Sequence, residues 1–210
     1  MSATDVIELI SSTEISLTSI RHAICHLTKP NREILYDLNH PNHRSITGKY
    51  FEALVYEMIL QASNTSNKIS SVVAKFSDAK YIPYNKYFTK GVWYSRDGNI
   101  LVTLNGRIVA EFDFLIQTSD GTRVFGEIVI NPAGINQSEI QFKKKLLSKL
   151  YKDPIEPVLV LSIPTNINNS INYAVIPNGE KSYLSIPASE VLKRNLSPTP
   201  SIKRVNGPDW

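Results

Sequence analysis

The sequence predicts a mixed α/β fold: a helix, an antiparallel meander, a second helix and a closing strand built around one central mixed sheet. Three observations point to it. Apolar residues recur at helical spacing over about residues 45–62 and again over 137–151. Between them lie β-branched and aromatic runs separated by the turn signals Arg96-Asp97-Gly98-Asn99, Asn105-Gly106 and Ser119-Asp120-Gly121. After the second helix, Pro157-Val-Leu-Val-Leu-Ser-Ile163 is a short apolar run that suits a buried strand. A helix between two strands makes that last strand a crossover partner. Helix, meander, helix and closing strand follow in that order over residues 45–163.

Residues 5–44 form a helical extension ahead of this core. Residues 5–28 predict a helix whose stripe is Leu17, Ile20, Ile24 and Leu27. Pro30 and Pro41 bracket one or two further helical turns. His22, Cys25 and His26 stand at i, i+3 and i+4, with His40 and His43 in the following loop. They are either zinc ligands or ordinary helix and loop residues, and structural zinc favours Cys-rich quartets.

Ser45 can cap the first core helix, which runs to about Ala62 and buries Phe51, Leu54, Val55, Met58, Ile59 and Ala62. On its wheel Glu57 points to water. Glu52 sits at the edge of the stripe, where it either reaches a site on the sheet or faces solvent. Residues 63–71 are rich in Asn and Ser and predict a loop. Aromatic and basic residues then alternate, among them Lys80, Tyr81, Tyr84, Lys86, Tyr87, Phe88, Lys90, Trp93 and Tyr94. Such a stretch suits either a nucleic-acid strand, stacked on rings and held through phosphates, or half-buried strands with solvent-facing lysines.

Two acids interrupt the apolar strands that follow. Arg107–Gln117 carries Glu111 and Asp113, and Arg123–Ile130 carries Glu127. A three-residue turn with Gly121 in the left-handed position pairs Thr118 with Thr122. Counting back places Asp113 opposite Glu127, where Cβ atoms lie about 4.5–5.5 Å apart, with Glu111 on the same face. Carboxylates this close need a cation between them or bases beside them. Hard oxygen ligands favour Mg²⁺ or Mn²⁺, and Arg107, Arg123 or a helix lysine are the alternative partners. The second helix, about Gln137 to Tyr151, puts Ile140, Leu146, Leu147 and Leu150 on one side and Lys145 and Lys149 in solvent. Lys143 falls within the apolar stripe, and Lys144 lies at its edge with Gln141. A lysine on the packed side either snorkels outward or meets an acid.

Beyond Pro164, Tyr173–Ile176 and Tyr183–Ile186 predict a small peripheral strand pair, and Ala188–Lys193 a short helix. Residues 1–194 make one domain, and 195–210 a poorly ordered tail of Pro, Ser and basic residues. The balance of 23 Lys and Arg against 19 Asp and Glu permits an anionic partner without requiring one. A single cysteine, Cys25, excludes an internal disulfide and suits a reducing, cytoplasmic compartment. No apolar run approaches the roughly 20 residues that a membrane span needs.

The helix with Glu52, the meander with Asp113, the strand with Glu127, the lysine helix and the closing strand together resemble the αβββαβ core of the PD-(D/E)XK, or restriction-endonuclease-like, nuclease superfamily. Gly48-Lys49-Tyr50-Phe51-Glu52 is similar to the opening helix of archaeal Holliday-junction resolvases, and Pro157-Val-Leu-Val to the end of their core. The Ile-, Asn- and Lys-rich composition would suit an archaeal viral member, working inside a host cell. The resemblance covers roughly residues 45–163. It implies Glu52, Asp113 and Glu127 as ligands of Mg²⁺ or Mn²⁺ and a metal-dependent deoxyribonuclease that hydrolyses phosphodiester bonds, including those of branched or junction DNA. It departs at Glu127-Ile128-Val129, where the family places lysine at the position of Val129. Some relatives supply that group from the next helix. This makes Lys144 the first candidate here, with Gln141 and Lys143 beside it. Lys86, Lys90, Lys143 and Lys145 are candidate DNA contacts, and cutting both strands would suit a homodimer, for which the N-terminal helix is a candidate surface. Val129 also supports a second expectation, a DNA-binding protein on a catalytically decayed scaffold. A third is a structural or assembly protein whose acids are only ion-paired.

Overall fold

The computed structural model describes residues 2–74, 90–94, 100–130, 135–151, 156–161, 172–175 and 188. Helices α1 (Ala3–Ser12), α2 (Leu17–His26), α3 (Lys29–Tyr36) and α4 (His43–Thr65) come first. Strand β1 (Ile69–Ala74) follows, then β2 (Lys90–Tyr94), β3 (Ile100–Leu104), β4 (Arg107–Phe112), β5 (Phe114–Thr118) and β6 (Arg123–Val129). Helix α5 (Gln137–Tyr151) leads to β7 (Glu156–Leu161) and β8 (Asn172–Val175). The chain is mixed α/β, as the sequence indicates. Its five-stranded sheet has the order β1-β5-β6-β7-β8, antiparallel through β6 and parallel from there on. Strands β2, β3 and β4 form a separate antiparallel sheet.

The split between the sheets corrects the expected single meander. Arg107–Gln117 is not one strand. It breaks at Asp113, where the chain leaves the three-stranded sheet for the five-stranded one. The place beside β5 is taken by β1, whose Ile69 to Ala74 pair with Thr118 to Phe114. That strand begins at Ile69, within the expected 63–71 loop, and α4 runs on to Thr65 before it. Both hairpin turns form as read. Asn105 and Gly106 adopt φ of 51° and 72°, joining Leu104 to its partner Arg107. Gly121 adopts 86°, and Thr118 N donates to Thr122 O at 2.9 Å.

The expected N-terminal helix is two helices. Ser16 caps the second, its side chain accepting from Ser19 N, while the hydroxyls of Ser12 and Thr13 bond back to Leu9 O at the end of the first. Such local side-chain bonds compete with helix continuation. Leu17, at the new N-terminus, is 47 % exposed, whereas Ile20, Ile24 and Leu27 are buried. Helix α1 buries Val6 and Ile10 and packs on α4, β7 and β8, so its apolar side is already covered within the chain.

Helix α4 is the centre of the larger core. The apolar stripe read from the sequence is fully buried, but so are Tyr50, Tyr56, Glu57 and Leu60 around the rest of the circumference. A helix buried all round is sandwiched between layers: α2 and α3 lie on one side of α4 and the sheet on the other. This corrects the solvent-facing placement of Glu57, which is 5 % exposed. The helix also begins two residues before Ser45, with Asn42 at the cap.

Successive residues of β5 and β6 serve the two cores. Phe114, Ile116 and Val124 join the α4 cluster, with Ile128 and Ile130 packed against it. Leu115 and Phe125 join Leu146 and Leu147 of α5 and residues of β3 and β4 in a second cluster. β8 extends the main sheet beyond β7 where a peripheral pair was expected. The expected strand 183–186, most of the helix 188–193 and the tail 195–210 lie outside the described residues. Among those described, no helix is long and apolar enough to cross a membrane.

Candidate metal centre

The hairpin register carries through to the acids. Phe114 pairs with Gly126, so Asp113 and Glu127 are the next pair along, as counted from the turn. Both belong to the alternation of Leu115 and Phe125 and therefore to the α5 side of the sheet. Asp113 is fixed twice at the point where the strands part: its N–H donates to Gly126 O at 3.1 Å, and its Oδ2 accepts from Ile128 N at 2.8 Å. Gly126 is required where it stands. A Cβ there would lie 1.7 Å from Phe114 Cζ, inside a ring that is itself completely buried.

Helix α5 supplies the base. Lys143 is 7 % exposed and lies in the same face as Ile140 and Leu147. Its Nζ stands 2.8 Å from Glu127 Oε1 and 3.1 Å from Glu139 Oε1, and 5.3 Å above the Phe112 ring. That ring is tilted against Phe125, with centroids 5.0 Å apart. Lys143 is thus the lysine that meets an acid. Lys144, the first candidate for that role, is half-buried one position round the helix, as is Gln141 two positions back. The row through Ile140, Lys143 and Leu147 is the buried one, and the edge row is not.

Burial pushes the Glu127 carboxyl up, and Asp113 beside it pushes further; Lys143 pulls it back only in part, leaving it at about 8. Burial alone would depress the Lys143 ammonium, but Glu127 and Glu139 together hold it above its ordinary value. An acid crowded by a second acid in an apolar setting is the arrangement that a cation relieves.

Glu52 does not join this group. It is half-buried on α4, one turn after Gly48, where an added Cβ would stand 3.9 Å from Ile130 Cδ1. That places it on the opposite layer of the sheet, near the end of β6. The charges acting on Glu127 are Asp113, Lys143 and Glu139. Among the described residues, no three His, Cys, Asp or Glu side chains are set to hold an ion. Glu111 is half-buried in the other sheet, opposite Leu101. Lys145 is exposed, Lys90 opens β2, and Lys86 with the neighbouring tyrosines lies outside the described residues. Sequence reasoning missed Glu139, although its i, i+4 spacing to Lys143 was readable, and it missed Phe112 beneath the ammonium.

No protein-family model matches the chain, and none of the curated proteins is similar to it in sequence.

Proposed function

We propose that the chain is a metal-dependent DNA endonuclease of the PD-(D/E)XK kind, with Asp113 and Glu127 as the protein ligands of one Mg²⁺ or Mn²⁺. The observation that carries this reading is the charge balance at Glu127. Asp113 and Glu139 both push the Glu127 carboxyl up, and Lys143 meets Glu127 at 2.8 Å and Glu139 at 3.1 Å. The donor set fits the cation. Mg²⁺ is commonly held by one or two carboxylates, with water and substrate phosphate completing six oxygens. The helices and strands that meet the main sheet, in the order α4, β1, β5, β6, α5, β7, also support the reading.

When bound, the cation would supply charge stabilisation for phosphodiester hydrolysis and lower the pKa of water. The chain's own residues do the remaining work. Asp113, pinned by Gly126 and Ile128, sets the direction of one carboxylate. Glu127 sets the second. Lys143 brings a positive charge to the place where Val129 brings none, and its contact with Phe112 keeps the ammonium at the sheet edge. Double-stranded cleavage would suit a homodimer, with branched DNA among its substrates.

Cleavage of linear, nicked and four-way-junction DNA in Mg²⁺ or Mn²⁺ tests the reading. Wild-type protein is expected to cut at least one of these, and Asp113→Ala and Glu127→Ala to cut none while remaining folded. A wild type inactive on every substrate with both metals refutes it. Val129 favours the second reading, a decayed scaffold that binds DNA: such a protein would retain salt-dependent DNA binding without any cleavage.

A further inference from the structure

Helix α5 buries the row that carries Lys143 and leaves another in solvent. Ser138, Phe142, Lys145 and Lys149 are all exposed and follow one another at spacings of four, three and four residues, which aligns them along the helix. Phe142 is 49 % exposed, and the metal centre makes no use of it. A phenylalanine half in water forgoes hydrophobic stabilisation, and a ring held there is open to a partner. Its surroundings are cationic. Helix α5 holds four lysines against the single acid Glu139, and that acid is already engaged, its Oε1 3.1 Å from Lys143 Nζ. Glu139 also ties the exposed row to the acid cluster. It precedes Phe142 by three residues and Lys143 by four, so its side chain neighbours both. The Glu139 side chain is 54 % exposed, and the cluster therefore opens to solvent on the side where Phe142 stands.

We propose that Phe142, Lys145 and Lys149 form a platform on which an unpaired base stacks beside the acid cluster, which makes DNA with unpaired nucleotides at the cleavage point the preferred substrate. The inference rests on the nuclease reading above, which also supplies DNA as the nucleic acid. An exposed ring among cations is complementary to a single strand: the ring takes the face of a base and the ammoniums take phosphates. A duplex offers phosphates to the same lysines but keeps its bases stacked inside, so nothing covers the ring. The helical rise sets Lys145 about 4.5 Å and Lys149 about 10 Å beyond Phe142 along the axis. One strand lying along the row thus meets the ring and both cations together. A protein partner fits less well, because Phe142 is flanked by Ser138 and lysines, and lysine is depleted from the centres of protein interfaces. Stacking accepts any base, so the platform selects strand form and not sequence.

The test titrates the full chain, in EDTA so that nothing is cut, into a labelled oligothymidine strand and into a labelled blunt duplex, read by fluorescence anisotropy. Phe142→Ala should weaken binding of the single strand by about 5- to 150-fold, the loss of one stacked base at about 1–3 kcal/mol converted at 1.36 kcal/mol per tenfold. Its affinity for the duplex should stay within about twofold. Phe142→Trp should keep single-strand binding, with the indole fluorescence quenched as the strand is added. The Lys145→Ala/Lys149→Ala variant should weaken both forms and lower the salt slope on the single strand by about 1.4, at about 0.7 for each phosphate contact. All these side chains are exposed, so the fold is expected to survive, as far-UV circular dichroism would verify. Two results overturn this inference while leaving the nuclease reading standing: single-strand affinity unchanged in Phe142→Ala, or equal losses on strand and duplex. A smaller mass for Phe142→Ala in gel filtration, with DNA binding unchanged, also overturns it and assigns the row to a second copy of the chain. A wild type that binds neither form overturns both.

Discussion

Replacing Glu127 by Gln tests whether the acid pair is under electrostatic strain when no cation is present. In the folded chain the Glu127 carboxyl titrates at about 8, against 4.5 for its ordinary value. A carboxyl whose folded pKa is raised holds a proton that the unfolded chain has already released. Between about pH 4.5 and 8 the native state binds the extra proton, so stability falls as pH rises through that window and levels off above it. Each pH unit of displacement corresponds to about 1.4 kcal/mol, which sets a ceiling of about 5 kcal/mol. Partial solvent access reduces this, and about 2 kcal/mol is the expected loss between pH 5.5 and 8. For a chain of this size that is about 4–8 °C in Tm. The assay is thermal unfolding in EDTA at a series of pH values, wild type against Glu127→Gln, with the difference between the curves removing the titration of other groups. The variant should escape the decline. Adding Mn²⁺ should restore wild-type stability more at pH 8 than at pH 5.5, because the ion competes with the proton, and should do nothing for the variant. Parallel curves in EDTA would refute the reasoning: Glu127 would then be fully charged at neutral pH and already satisfied by Lys143.

Lys143→Ala should reduce DNA cleavage at least about 100-fold, within the range a positioned acid–base group contributes, while Lys144→Ala should leave it within a few-fold; steady-state cleavage of a labelled duplex separates them. Glu52→Gln should cost less activity than Asp113→Asn in the same assay, because Glu52 lies on the other layer of the sheet. Gly126→Ala should destabilise by about 1–3 kcal/mol, the usual cost of overpacking a close-fitted core, since the new methyl occupies the space of the Phe114 ring; urea unfolding measures it, and an unchanged midpoint would show that the ring moves aside freely. Gly106→Ala should cost about 1 kcal/mol through its φ of +72° alone, because nothing lies within 4 Å of the added carbon.

The parts of the fold that local rules govern were legible in the sequence. The Asn105-Gly106 and Ser119-Asp120-Gly121 turns fix strand register by themselves, and counting from the second was enough to set Asp113 against Glu127. Helix α5 was readable from end to end because one face of it is buried and the other is not. What escaped was set by contacts distant in sequence. Nothing near Phe112 or Phe114 announces that the strand changes sheets at Asp113. That break follows from β1 arriving some 40 positions earlier to claim the edge of β5. Glu57 was misplaced for a related reason. A helical wheel assumes one wet side, and the middle of α4 has none once α2 covers it, so the acid that looked solvated is buried. Lys143 fell within the apolar stripe of α5 and Lys144 at its edge beside Gln141, and it is the stripe that meets Glu127.

Half-buried Glu127 and buried Glu57 differ in the company each keeps. Each is set in an apolar element and met by nitrogen from a neighbouring helix. At Glu57 the carboxylate meets two imidazoles, those of His26 and His22, one at each oxygen. At Glu127 one ammonium serves two acids directly, Glu127 and Glu139, with Asp113 adding a third charge across the ladder. There a cation enters by cancelling charge. The consequence is that hard ions should act at the strand pair. Thermal shifts measured with Mn²⁺ should therefore be lost in Asp113→Asn and kept in His22→Ala; loss in both variants, or in neither, would place the ion elsewhere.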